Sequence, residues 1–171
     1  MNKKRKVLVK MIYAAIIAAL YSVITIFTIP ISYGPLQFRA AEAFNILPLF
    51  FPESIIGLTI GCFISNLFSS GNVLLDCTLG TTGTLLSALS CYFIGKCIKN
   101  EHIKVILGII PTIIINAIIV PFTFLAMTEL KELYFTELLF VGLGQLGVMV
   151  ILGIPLYYSL KELIKRNIFL N

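Results

Sequence analysis

Arg39, Glu42 and Asn45 recur at every third position, which gives them a common face if that stretch is helical. They supply a cation, an anion and an amide that both donates and accepts, a set suited to holding a small polar molecule. Asn66, Asp76, Thr84, Asn116 and Gln145 are further polar residues standing in otherwise apolar sequence. Bond-breaking chemistry finds no comparable set. No His/Glu pair has zinc-protease spacing, and no phosphate loop of the form G-x-x-x-x-G-K-S/T is present. Gly95-Lys96 is followed by Cys97, and Gly80-Thr81-Thr82-Gly83-Thr84 has no lysine. Cys62, Cys77, Cys91 and Cys97 form no C-x-x-C pair and have no nearby His, so they are read as small free hydrophobes rather than metal ligands or a disulfide. His102 lies in a basic stretch and is read as solvated. Neither catalysis nor a cofactor is expected.

The elements that carry these residues must sit in a membrane. Of the 171 residues, 58% are apolar and only 12% are charged, about half the ~25% of soluble domains. Mean hydropathy is +1.00. A soluble domain of this size cannot hide so much apolar surface. The net charge of +5 would suit nucleic acid, but the basic residues flank apolar runs and form no patch of their own, so no nucleic-acid partner is expected. The chain is read as one domain, 1–171.

Apolar runs cover Val7–Ile31, Phe44–Phe68, Val73–Cys97, Ile103–Met127 and Leu133–Leu160. The first is too long for the ~7–15-residue core of a signal peptide and is read as a membrane helix. Lysine and arginine collect on cytoplasmic flanks. Here Lys3, Lys4, Arg5, Lys6 and Lys10 precede the first run, Lys96, Lys99 and Lys104 lie between the third and fourth, and Lys161, Lys165 and Arg166 follow the last. All three clusters fall inside only if one extra crossing precedes Lys96. The second run can supply it, because Pro48 and Pro52 interrupt it and proline breaks a helix. It is therefore split into a short helix near Ala41–Phe51 and a full one near Glu53–Phe68. The expected fold is an all-α integral membrane bundle of six transmembrane helices with both termini cytoplasmic. The short helix cannot span alone at 1.5 Å per residue. Irregular backbone at membrane depth is tolerated where it lines a cavity, which marks this region as a candidate binding site.

In that topology the polar residues converge toward the outside. Arg39, Glu42 and Asn45 enter from the outer side, Asn66 and Asp76 stand at outer helix ends, Thr78, Thr81, Thr82 and Thr84 follow Asp76, Asn116 is near mid-helix, and Gln145 is a few turns into the last helix. Each also has a plainer reading. Arg39–Glu42 can be an interfacial ion pair, Asp76 the N-cap of its helix, and Asn66 a C-cap. Asn116 and Gln145 can be interhelical glue, and the threonines can bond back to their own helix. Glu53 is read as a charge at a helix N-terminus on the inner side. In the first helix, Ala14/Ala18 and Ala15/Ala19 are two overlapping A-x-x-x-A pairs, a flat stripe that admits a close neighbour inside or outside the bundle.

The segment Leu36-Gln37-Phe38-Arg39-Ala40-Ala41-Glu42-Ala43-Phe44-Asn45-Ile46-Leu47-Pro48 resembles the Arg-x-x-Glu-x-x-x-x-Leu-Pro signature of the QueT family, substrate-binding S-components of energy-coupling factor (ECF) vitamin transporters. Gly57-Leu58, Gly61-Cys62, Asn66-Leu67, Leu75-Asp76 and Gly80-x-x-x-Thr84-Leu85 continue the likeness, as do Asn116 and Gly144-Gln145. The family pattern usually has Glu where this chain has Gln145, which implies a different precursor or weaker binding. The resemblance implies uptake of a queuosine precursor, a 7-deazaguanine. It also implies a plasma-membrane location and docking through Ala14, Ala15, Ala18 and Ala19 on a coupling subunit beside two ATPases. The ligand set it suggests is Arg39, Glu42, Asn45, Asn66, Asp76, Thr84, Asn116 and Gln145, with Phe38, Phe44 or Tyr33 stacking on the ring and the loop Pro30–Ala40 as a lid. An S-component for another vitamin, a stand-alone ion-coupled carrier or channel, and an intramembrane enzyme are the alternatives.

Overall fold

A computed structural model describes residues 3–34, 36–69, 71–125 and 133–166. Among them every regular element is helical and no strand occurs. Helix α1 spans Lys3–Phe27. Thr28 breaks it, and Pro30 opens the single turn α2, Ile29–Ser32. A 3₁₀ helix, Ala40–Leu49, carries the signature segment. Helix α3 is Ser54–Asn66. Helix α4 (Val73–Leu75), a π turn (Asp76–Gly80) and α5 (Thr81–Cys97) form one rod. Helix α6 is Glu101–Leu125. Helix α7 (Leu133–Val148), a second π turn (Met149–Gly153) and α8 (Ile154–Lys165) form the last rod.

Four of these rods are long and apolar enough to cross a membrane: Lys4–Phe27, Val73–Cys97, Glu101–Thr123 and Leu133–Lys165. The split of the second apolar run is present, but its two halves differ from expectation. The first is 3₁₀ rather than α. The second, expected to be a full span from Glu53 to Phe68, has 13 residues, about 20 Å at 1.5 Å per residue, against a ~30 Å hydrocarbon core. Glu129, Lys131 and Glu132, expected in an outer turn, lie outside the described residues.

Helix α1 packs on α3 through small residues. A Cβ on Gly57 would lie 2.5 Å from the Ala14 carbonyl oxygen, and one on Gly61 would lie 2.8 Å from that of Ala18. Only glycine allows backbones this close. The alanine stripe is thereby divided: Ala14 and Ala18 are buried against α3, while Ala15 and Ala19 remain exposed. Two apolar clusters fill the bundle. One joins Tyr21, Ala41, Leu58, Cys62 and Ala88. The other joins Ile46, Val105, Ile109, Met149 and Tyr157. The outer surface is studded with Ile, Leu, Val and Phe, the arrangement of a bundle solvated by hydrocarbon rather than water.

Two charged pairs sit at one end. Lys10 lies 3.7 Å from Glu53, and Lys161 pairs with Glu101. His102 is exposed and contacts the Tyr158 hydroxyl at 3.0 Å. The 3₁₀ helix runs toward this end, where Leu49 packs between Gly95 and Gly108. The start of α6 and the end of α8 therefore share one end of the bundle.

Candidate functional site

The 3₁₀ helix determines the site. Its turn takes three residues, so side chains at i and i+3 eclipse one another. Arg39, its N-cap, is followed on the same face by Glu42, Asn45 and Pro48. In an α-helix the same residues would drift around the axis by about 60° per step.

Glu42 is 1% exposed and stands at the centre of a four-sided network. The Tyr21 hydroxyl of α1 donates to Oε1 at 2.5 Å. The Arg39 guanidinium lies 3.9 Å from the same oxygen. Asn45 donates its Nδ2 to Oε2, and Asn116 of α6 donates to that oxygen at 3.2 Å. A carboxylate out of water needs such partners, because an unpaired buried charge is strongly unfavourable. Both amides turn their N–H groups toward Glu42. The Oδ1 atom of Asn45 is left buried with no hydrogen-bond partner.

Arg39 links this network to a second one nearer the other end. Its guanidinium lies 4.6 Å from the centre of the Tyr33 ring, within cation–π range. The Tyr33 hydroxyl lies 2.8 Å from the Ser65 carbonyl oxygen and 3.1 Å from Asn66 Oδ1. Asn66 donates to the backbone carbonyl of Asp76 at 2.7 Å and approaches Cys62 Sγ at 3.4 Å. Thr84 reaches the same sulfur at 3.2 Å and its own-helix Gly80 carbonyl at 3.3 Å. The Asp76 carboxylate accepts from Ser69.

The N-cap reading of Asp76 is corrected here. Asn72 caps α4 by accepting from the Leu75 N–H at 3.2 Å, so the helix starts at Val73, three residues before Asp76. Thr78 and Thr82 are exposed and bond back to Leu74 and Thr78 carbonyls. The Arg39–Glu42 pair is buried inside the bundle, not interfacial, since Arg39 is 7% exposed.

The loop before the 3₁₀ helix presses onto α7. A Cβ on Gly144 would meet the Leu36 carbonyl oxygen at 1.8 Å, and one on Gly147 would lie 3.3 Å from the Phe38 ring. Gln37 is buried with φ 43°, a left-handed backbone that a non-glycine residue rarely adopts. Gln145 is buried beside the loop-contacting Gly144. Its Oε1 has no partner, and no hydrogen bond described joins it to Glu42. The polar residues thus form a Glu42 network, an Asn66 network and a separate Gln145, rather than one shell. Sequence reading missed Tyr21 and Gln37. Tyr21 was findable, because Ala14, Ala18, Tyr21 and Thr25 follow the 4-3-4 spacing of one buried helix face.

The family model for the QueT transporter matches residues 11–162. The chain belongs to the QueT transporter family. A curated relative, the queuosine precursor transporter QueT of Lactococcus lactis subsp. cremoris (strain MG1363), is 45% identical over 74 residues. That alignment covers 42% of this chain and 43% of the relative, less than half of its length. No solved structure matches the chain. As a member of the QueT transporter family with four helices long and apolar enough to cross a membrane, it is a multi-pass protein of the cell membrane.

Proposed function

We propose that this chain is the substrate-binding membrane subunit, the S-component, of an ECF-type importer, and that its cargo is a queuosine precursor, a 7-deazaguanine such as 7-aminomethyl-7-deazaguanine or queuine. The observation that carries the reading is the buried Glu42 network with its unpartnered amide oxygen on Asn45. A guanine-like ring offers N–H donors beside a carbonyl, and Asn45 Oδ1 and Gln145 Oε1 are acceptors without partners. An aminomethyl substituent is cationic and is stabilised by the negative charge of Glu42. The name of the Lactococcus relative agrees with this cargo. In this reading Arg39 and Glu42 set the charge of the pocket, Asn45, Asn116 and Gln145 read the ring, and Phe38 or Tyr33 stacks on it. Asn66, Asp76 and Thr84 form its outer wall.

The proposed topology has six crossings, made by α1, the 3₁₀ helix, α3, the α4–α5 rod, α6 and the α7–α8 rod, with both termini cytoplasmic. The basic flanks and the Lys10–Glu53 and Glu101–Lys161 pairs at one end support it. The chain carries no phosphate loop, so ATP hydrolysis must come from partners. The exposed Ala15 and Ala19, in the groove shared with Met11, Ile56 and Ile60, are the proposed docking face for a coupling subunit beside two ATPases. Ala15→Leu with Ala19→Leu is expected to spare ligand binding and abolish copurification with that subunit. A complex that still forms places docking elsewhere.

Native purification followed by mass spectrometry of the bound small molecule tests the cargo. A 7-deazaguanine is expected, and another vitamin would replace it in this reading. Transport by the chain alone in liposomes would favour a stand-alone carrier instead.

A further inference from the structure

Serine and threonine hydroxyls in this bundle mostly bond back to the carbonyl one turn earlier. Ser22, Thr25, Thr59, Thr78, Thr82 and Thr84 all do so. Ser87 and Thr112 do not. Both are fully buried, and Ser87 Oγ and Thr112 Oγ1 have no hydrogen-bond partner. Asn45 Oδ1 is in the same condition.

The register of three elements brings the residues that carry these oxygens to one depth. Gly83 of α5 faces Asn116 of α6, since a Cβ on Gly83 would lie 3.3 Å from Asn116 Oδ1. The two helices are antiparallel, joined through residues 98–100. One turn inward along each, on the same face, stand Ser87 and Thr112, about 6 Å deeper. Asn116 also fixes the level of Glu42 through its hydrogen bond. One 3₁₀ turn inward from Glu42 stands Asn45, again about 6 Å deeper. Leu49, packed between Gly95 and Gly108, closes the path below.

We infer that the polar site continues one helical turn below Glu42, as a subsite in which Asn45, Ser87 and Thr112 hold a second hydrogen-bonding end of the ligand. Asn45 gives its Nδ2 to Glu42, so its Oδ1 only accepts; the two hydroxyls both donate and accept. The set fits a ring edge that carries N–H donors beside a carbonyl, such as a cyclic amide. A purely apolar or all-acceptor group does not fit. The choice of ligand rests on the cargo proposed above, whereas the placement of the subsite does not.

The test uses the full-length protein with Ser87→Ala and Thr112→Val together. Calorimetry with 7-aminomethyl-7-deazaguanine is expected to give affinity at least 10-fold weaker. The ligand-free melting temperature is expected to rise, because two unpaired buried hydroxyls are removed. Unchanged affinity, or a melting temperature that does not rise, overturns the subsite: the hydroxyls then serve the fold or hold water only. If the unmodified protein binds no 7-deazaguanine, the cargo reading fails, and the ligand-free melting comparison alone decides the subsite in the same way. If the double variant does not fold, Ser87→Ala alone is read by the same criteria.

Discussion

The two polar networks on either side of Arg39 use their hydrogen bonds differently. Around Glu42, the bonds run between side chains drawn from α1, the 3₁₀ helix and α6, and an acceptor is left over on Asn45. Around Asn66, the principal bonds run to the main chain: Tyr33 reaches the Ser65 carbonyl and Asn66 the Asp76 carbonyl. These bonds tie the end of α3 to Tyr33 and to the rod that follows it. A polar residue bound to backbone secures a helix end. A polar residue held by other side chains, with a lone pair remaining, is prepared for a ligand. In the proposed function the Glu42 network therefore takes recognition and the Asn66 network support.

Arg39 belongs to both, so its loss is expected to have the largest effect. Arg39→Met removes the cation facing a buried carboxylate, and breaking such a pair costs roughly 3–5 kcal/mol. Denaturant unfolding in detergent is expected to show a loss of that size, together with undetectable ligand binding. A variant of ordinary stability would mean that Glu42 is held by its neutral donors alone. Tyr21→Phe isolates the deep network. It deletes one hydrogen bond to a charged acceptor, worth roughly 1.5–3 kcal/mol, so calorimetry is expected to show ligand affinity about 10-fold lower or worse. Equal affinity would reduce Tyr21 to a packing residue. Asp76→Asn probes the shallow network and is expected to change least. The side chain is half-buried and keeps Ser69 within hydrogen-bond reach, so affinity is expected to move by about twofold, within the ~0.5 kcal/mol typical of peripheral substitutions. A loss as large as that of Tyr21→Phe would erase the distinction between the networks.

Much of this was legible in the sequence, for reasons that can be named. Apolar runs with basic flanks outline the long rods, because lipid exposure demands continuous apolar helices. Pro48 and Pro52 marked the break in the second run. The i, i+3, i+6 spacing placed Arg39, Glu42 and Asn45 on one face, and the 3₁₀ turn sharpens that alignment beyond what an α-helix allows. Other features were hidden. The spacing of Ala14, Ala18, Tyr21 and Thr25 marks Tyr21 as buried, but only the arrival of Glu42 from 21 positions away gives its hydroxyl a partner. The left-handed Gln37 has no local signal, since its conformation answers the close seat of Leu36 on Gly144. The outward convergence expected of the polar residues resolves into distinct groups, with loop 36–39 seated on α7 at Gly144 and Gly147, a path set by tertiary contact.

Calorimetry of Glu42→Gln against the unmodified protein, with 7-aminomethyl-7-deazaguanine as the titrant, tests the central claim most directly. Replacing the anion by a neutral isostere removes the charge that orders Asn45, Asn116 and Tyr21, an interaction worth roughly 1.5–3 kcal/mol. Affinity at least 10-fold weaker is the predicted result, and unchanged affinity in a folded variant would contradict a recognition site centred on Glu42.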